Sequence, residues 1–108
     1  MARRRRRIQT RRLVRRLVAE GDIDGLLRWA RDEPNAATLL VTRTFDTDES
    51  RRWRATVALG RVTGQMATAG NTEAVREIIR HLLWLVNDES GGIAWNGPET
   101  IAEILANL

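Results

Sequence analysis

The chain has 108 residues, enough for one small domain with one modest core. It has no cysteine and a single histidine, His81, which excludes disulfides and thiolate metal sites and leaves no spare ligands for a zinc constellation or a Ser-His-Asp triad. The net charge of +4 conceals a division: residues 1–16 hold nine arginines and no acid, while the rest holds nine arginines against 14 acids, so a basic arm precedes a mildly acidic body.

Taken in chain order, the apolar residues recur at helical spacing and β-type alternation is scarce. A first helix is predicted from about Thr10 to Glu20, with Leu13, Val14, Leu17 and Val18 on one stripe and arginines around it. Gly21 stops it, and Asp22 or Asp24 caps a short second helix that buries Ile23, Leu26, Leu27 and Ala30. Pro34 ends that segment and Asn35 is placed to cap a third helix reaching Phe45.

Asp48 or Ser50 caps a fourth helix over about 50–66. Ala55, Ala58, Leu59, Val62 and Met66 line one of its faces, and Trp53, Val57, Gly60 and Gly64 lie roughly opposite. Two apolar faces predict a helix sandwiched between neighbours. Each glycine costs about 1 kcal/mol of helix propensity relative to alanine, and close approach of another helix would justify at least one of them. A fifth helix is expected from Thr72 to Asn87, with Val75, Ile78, Ile79, Leu82, Leu83 and Val86 as its stripe. A sixth runs from Pro98 to Leu108. Residues 1–9 are read as a flexible basic arm and 10–108 as the helical domain.

Two helices joined by an acidic turn recur. Asp-Glu-Ser stands at 48–50 and again at 88–90, a spacing of 40 residues. A period near 40 with two helices per unit is the pattern of an all-α solenoid of HEAT type, here about six helices. The run DESRRWRATVALG resembles the phycobilisome-lyase-type HEAT-like repeat: Arg52, Ala55, Ala58, Leu59 and Gly60 match, and Arg51 departs from the aliphatic residue usual there. The resemblance implies that Arg52 bonds the acidic turn through Asp46 or Asp48. Residues 73–105 are also similar to an uncharacterised HEAT-repeat family of sulphate-reducing bacteria. The matching residues are 87–93, Trp95, Pro98, Glu99, Glu103, Ile104 and Leu105; Ala94 and Ala102 stand where that family usually has glycine. Its members are usually longer, which makes this chain look shortened at its C-terminus. Both likenesses imply architecture rather than an activity.

Three stretches are candidates for function. The first is the loop NDESGGIAWNGP. Gly91 and Gly92 permit a sharp return, and Trp84 stands away from the apolar stripe of its helix, with Glu77, Arg80 and His81. The loop either seals the end of the helix pair over Trp84, or Trp84, Asp88, Glu89, Ser90, Gly91, Gly92 and Trp95 form a recognition patch for a protein partner, since aromatics beside charge make binding hot spots. Trp84, Asp88 and Trp95 also resemble, over three residues only, the tryptophans and aspartate of HEAT-like alkylpurine DNA glycosylases; fold kinship alone is analogy, and no enzymatic activity is expected.

The second candidate is the arm. Arg3, Arg4, Arg5, Arg6, Arg7, Arg11 and Arg12 suit phosphates, and with no aromatic interleaved they predict weakly selective nucleic-acid contact; the alternative is a solvated tail. The third is the last helix, whose stripe of Ile101, Ile104, Leu105 and Leu108 predicts self-association where no polar capping unit covers it. Glu99 and Glu103 read as its exposed face. No apolar run reaches the roughly 20 residues of a membrane span, and no apolar core follows the basic N-terminus as a secretory signal requires. The expectation is a cytoplasmic, non-catalytic scaffold with a protein partner, no cofactor, no metal and no membrane, nucleic-acid association being the alternative.

Overall fold

The computed structural model describes the backbone of residues 2–88 and 97–108, and the side chains of 8–86 and 97–108. Six helices account for nearly all of it: α1 (Ala2–Glu20), α2 (Ile23–Arg31), α3 (Ala36–Arg43), α4 (Glu49–Thr68), α5 (Thr72–Asp88) and α6 (Gly97–Ala106). The described residues contain no strand. Five of the six helices start within two residues of the predicted positions. The exception is α1, which begins at Ala2 rather than near Thr10, so the backbone of the basic segment continues the helix. Nothing in residues 2–9 breaks a helix, because they contain neither proline nor glycine, and arginine is a good helix former.

The turns follow two designs. After α1, Gly21 takes a positive φ of 67°, its N–H donates to Val18 O and the N–H of Asp22 donates to Leu17 O, closing a Schellman turn. The same turn ends α4: Gly70 has φ 86°, Gly70 N–H donates to Ala67 O and Asn71 N–H to Met66 O. The other design is the side-chain cap. Asp22 accepts from Gly25 N–H at 2.9 Å and Asp48 from Arg51 N–H at 2.8 Å, so each satisfies a free donor in the first turn of the helix that follows. Asn35 precedes α3 but makes no side-chain cap there; its own N–H is held by Glu33 Oε1 at 3.4 Å.

Helix α4 packs against each of the other five. Its Ala55, Ala58, Leu59 and Val62 join Val14, Leu17 and Val18 of α1, Leu26 of α2, Leu40 and Val41 of α3, Val75 and Leu82 of α5 and Ile104 of α6 in one buried cluster. Polar ties add to this packing. Arg54 Nη1 donates to Ala19 O at 2.5 Å, and Gln65 Nε2 to Leu27 O at 3.1 Å, fixing α4 to α1 and α2.

The opposite face of α4 receives α6. A Cβ on Gly60 would lie 3.0 Å from the Glu103 carbonyl oxygen, and one on Gly64 would lie 3.0 Å from the Asn107 carbonyl oxygen. Both glycines are therefore places where a neighbouring backbone comes close. Thr56 meets Thr100 one turn earlier, so α4 and α6 run parallel. Trp53 and Val57, on the same face of α4, remain 41% and 37% exposed.

Helices α1 and α2 pack with α3 and α4, and α5 and α6 pack with α4; among the described residues α1 and α2 make no extensive contact with α5 or α6. The chain thus has two ends, α1–α2 and α5–α6, with α4 between them. No helix among the described residues is long and apolar enough to cross a membrane.

Candidate functional site

The acidic turn before α4 is the best-defined polar arrangement. Asp46 Oδ1 accepts from Asp48 N–H at 2.8 Å, bending the chain so that Asp48 can cap the helix. Arg51 then reaches back, with Nε 3.0 Å from Asp46 Oδ2 and Nη2 3.3 Å from Asp46 Oδ1. Arg51 holds the Asp46 carboxyl below the usual carboxylate range, against the opposing effect of burial, and Asp46 raises the pKa of Arg51 in turn. Arg52 donates from Nη1 to the Asp46 carbonyl at 3.1 Å. The residue that matches the HEAT-like pattern thus binds the backbone of the turn, and the departing residue, Arg51, grips its carboxylate. An aliphatic side chain at 51 could not do so.

At the α5–α6 end, the apolar pattern is only partly used. Val75 and Leu82 of α5 and Ile104 of α6 are buried, but Leu83 is 50% exposed, Trp84 60%, Leu105 57% and Leu108 61%. Leu83 therefore departs from its predicted place in the core stripe. Trp84 stands where the sequence places it, on an outer face flanked by the Arg80–Glu77 ion pair. Asp88 is the last residue of α5, and its side chain lies outside the described set, as do Glu89, Ser90, Gly91, Gly92 and Trp95 entirely. The C-terminal stripe divides: Ile104 is fully buried, Ile101 partly, and Leu105 and Leu108 face outward.

The basic region is organised by α1. Arg11, Arg12, Arg15 and Arg16 are all exposed, while Val14, Leu17 and Val18 on the other side of the helix are buried. Arg3, Arg4, Arg5, Arg6 and Arg7 lie on the first turns of the same helix, and their side chains are outside the described set.

Two features were not read from the sequence. One is a groove of about 430 Å³ between α3 and α5, lined by Ala37, Thr38, Val41 and Ile78 together with the exposed Glu77 and His81. The described residues contain no group of three acids or histidines able to hold a metal ion. The other is Arg43, in the last turn of α3. Its Nε is buried with no hydrogen-bond partner. Burial lowers the pKa of its guanidinium; Arg15 and Arg11 of α1 act the same way, and Asp46 opposes them. The unsatisfied donor is thus enclosed at the last turn of α3, within the electrostatic influence of α1. No local pattern announces this, because it depends on how α1 crosses α3.

No protein-family model matches the chain, and neither curated proteins nor solved structures supply a significant relative.

Proposed function

We propose that this protein is a non-catalytic scaffold of the HEAT-like solenoid kind that binds a protein partner at its α5–α6 end. The repeat reading is supported by how the helices pack. Among the described residues, the first and last pairs each pack chiefly against the middle pair, as stacked units do, and the second helices α4 and α6 run parallel. The binding reading rests on one observation: the last pair leaves Leu83, Trp84, Leu105 and Leu108 half-exposed or more. Large apolar side chains, a tryptophan above all, are the usual anchors of a protein interface. Residues 72–108 hold six acids and two arginines, so a partner with basic groups around an apolar centre fits. A cytoplasmic setting agrees with the cysteine-free composition.

The test replaces Trp84 and Trp95 by alanine. The expected result is a protein captured by the parent chain and lost by the double variant, which rebinds as a purified component while the variant melts like the parent. If the variant only unfolds more easily and no purified protein distinguishes it from the parent, the α5–α6 end is a structural seal and the reading fails.

A second reading is nucleic-acid association through α1, supported by the exposure of Arg11, Arg12, Arg15 and Arg16 on one continuous helix. Loss of duplex binding at physiological salt on deletion of residues 2–7 is the result it requires.

A further inference from the structure

We propose that this protein assembles head to tail with copies of itself, the arginine-bearing face of α1 and α2 in one copy docking on the outer side of α5 and α6 in the next. The inference rests on the reading of the α5–α6 end as a protein-binding surface and names its partner as a second copy.

The argument starts from which way the exposed side chains point. Ala74, Ile78 and His81 of α5 line the groove towards α3. Leu83 lies roughly half a turn round the helix from them, so it points away from α3. In α6, Thr100 meets Thr56, and the backbone at Glu103 and Asn107 lies against Gly60 and Gly64 of α4. Leu105 again lies roughly half a turn round, pointing away from α4. Leu83 and Leu105, 50% and 57% exposed, therefore sit on the side where a further helix pair would stack. Pro98 and Ala102 share the stripe of Leu105 and are exposed and uncharged. Arg76 and Arg80 flank Leu83, but each is held by an acid of the same helix, Glu73 and Glu77.

The other end carries the complement. On α1, Ile8, Arg12 and Arg15 recur at one-turn spacing and are exposed, on the side away from the buried Val14, Leu17 and Val18. On α2, Arg28 and Arg31 are exposed on the side away from the buried Gly25 and Leu26. Arginine stems lie along apolar surface while their charged heads stay in water at its rim, so this face suits leucines in acidic surroundings. Residues 1–20 hold nine arginines and one acid, and residues 72–108 six acids and two arginines. Head-to-tail docking joins these opposite charges. Tail-to-tail docking would bring two acidic ends together, and head-to-head docking two basic ones, which like-charge repulsion opposes. A contact between two different surfaces also leaves an unused surface on each outer copy, so assembly runs past a dimer.

The test is sedimentation velocity on the full chain, freed of nucleic acid, from low to high micromolar concentration and at low and physiological salt. One variant, Arg12→Glu with Arg15→Glu, reverses the charge of the basic face. The other, Leu83→Arg with Leu105→Arg, closes the apolar one. The parent should sediment faster with rising concentration, past the dimer, and less so at the higher salt because the attraction is screened. Each variant alone should stay a monomer at the highest concentration. Mixed in equal amounts they should form a dimer and nothing larger, since one supplies an intact apolar face and the other an intact basic one. That dimer also shows that both variants are folded.

A parent that remains monomeric throughout overturns the proposal. So does a charge-reversed variant that dimerises alone, because the contact would then be tail to tail. So does a mixture that stays monomeric while both variants melt like the parent. Should Leu83→Arg lower the melting temperature, Leu105→Arg alone takes its place in the mixture. The protein-binding reading fails separately. A monomeric parent that still binds a purified protein through Trp84 and Trp95 overturns only the self-assembly. Exposed leucines whose replacement unfolds the chain without loss of any complex mark a structural seal, which overturns both.

Discussion

The two terminal helices, α1 and α6, are both amphipathic and both pack on α4, yet they finish their surfaces in opposite ways. Helix α1 buries Val14, Leu17 and Val18 and turns Arg11, Arg12, Arg15 and Arg16 outward. Helix α6 buries Ile104 and leaves Leu105 and Leu108 exposed. The charge follows the same division. Residues 1–20 hold nine arginines and one acid, residues 21–71 seven of each, and residues 72–108 two arginines and six acids. One end of the molecule is thus closed by solvated charge, and the other presents apolar surface in acidic surroundings. The lesson is that an amphipathic stripe in a terminal helix does not by itself say how much of the stripe is core. That depends on how many neighbours the helix has, and a helix at an end has fewer.

The sharpest way to break this comparison is to ask whether α6 is as firmly part of the core as α1. Leu17→Ala and Ile104→Ala should each cost about 2–5 kcal/mol in urea unfolding, the usual cost of truncating a buried aliphatic side chain to alanine. A negligible cost at Ile104 would mean that α6 is only loosely attached. The next effect concerns how α6 is seated. Gly60→Ala gains helix propensity but pushes a methyl group to 3.0 Å from the Glu103 carbonyl. Overpacking costs about 1–3 kcal/mol and the propensity gain is about 1 kcal/mol, so a net loss of up to about 2 kcal/mol is expected. A stabilised variant would show that α6 can move away from α4 freely.

The smallest effect on stability separates folding from association. Leu105→Ser with Leu108→Ser should change stability by no more than about 0.5 kcal/mol, because both side chains are largely exposed. If the open end pairs with a second copy, the same variant shifts sedimentation from an associated species to the monomer. A parent chain that is monomeric at high concentration would assign the exposed leucines to another partner or to none.

Much of this molecule was legible in the chain. Helical spacing marked all six helices, Gly21 marked a stop and Asp48 or Ser50 a start, and at least one of Gly60 and Gly64 signalled a close helix approach, which α6 makes at both. Those signals are local: periodicity, capping and backbone freedom act over one or two turns. Less was legible at the candidate sites. Trp84 was expected on an outer face and stands there, but Leu83 was expected in the core and is half-exposed, because its burial depends on whether another helix lies beyond α5. The grip of Arg51 on Asp46 is not legible locally, because the two meet only through the bend that Asp46 and Asp48 impose on the turn between them.

The amino-acid sequence by itself determined that the protein is helical, where five of its six helices begin, and that its charge is divided between its two ends. Only the tertiary structure decided that α4 would pack against each of the other five helices, that α6 would run beside it at two glycines, and that Arg43 Nε would be buried without a partner. The reason is range. A helix is specified by neighbours three and four residues away, whereas the company a side chain keeps is set by segments tens of residues distant, whose approach no local pattern records.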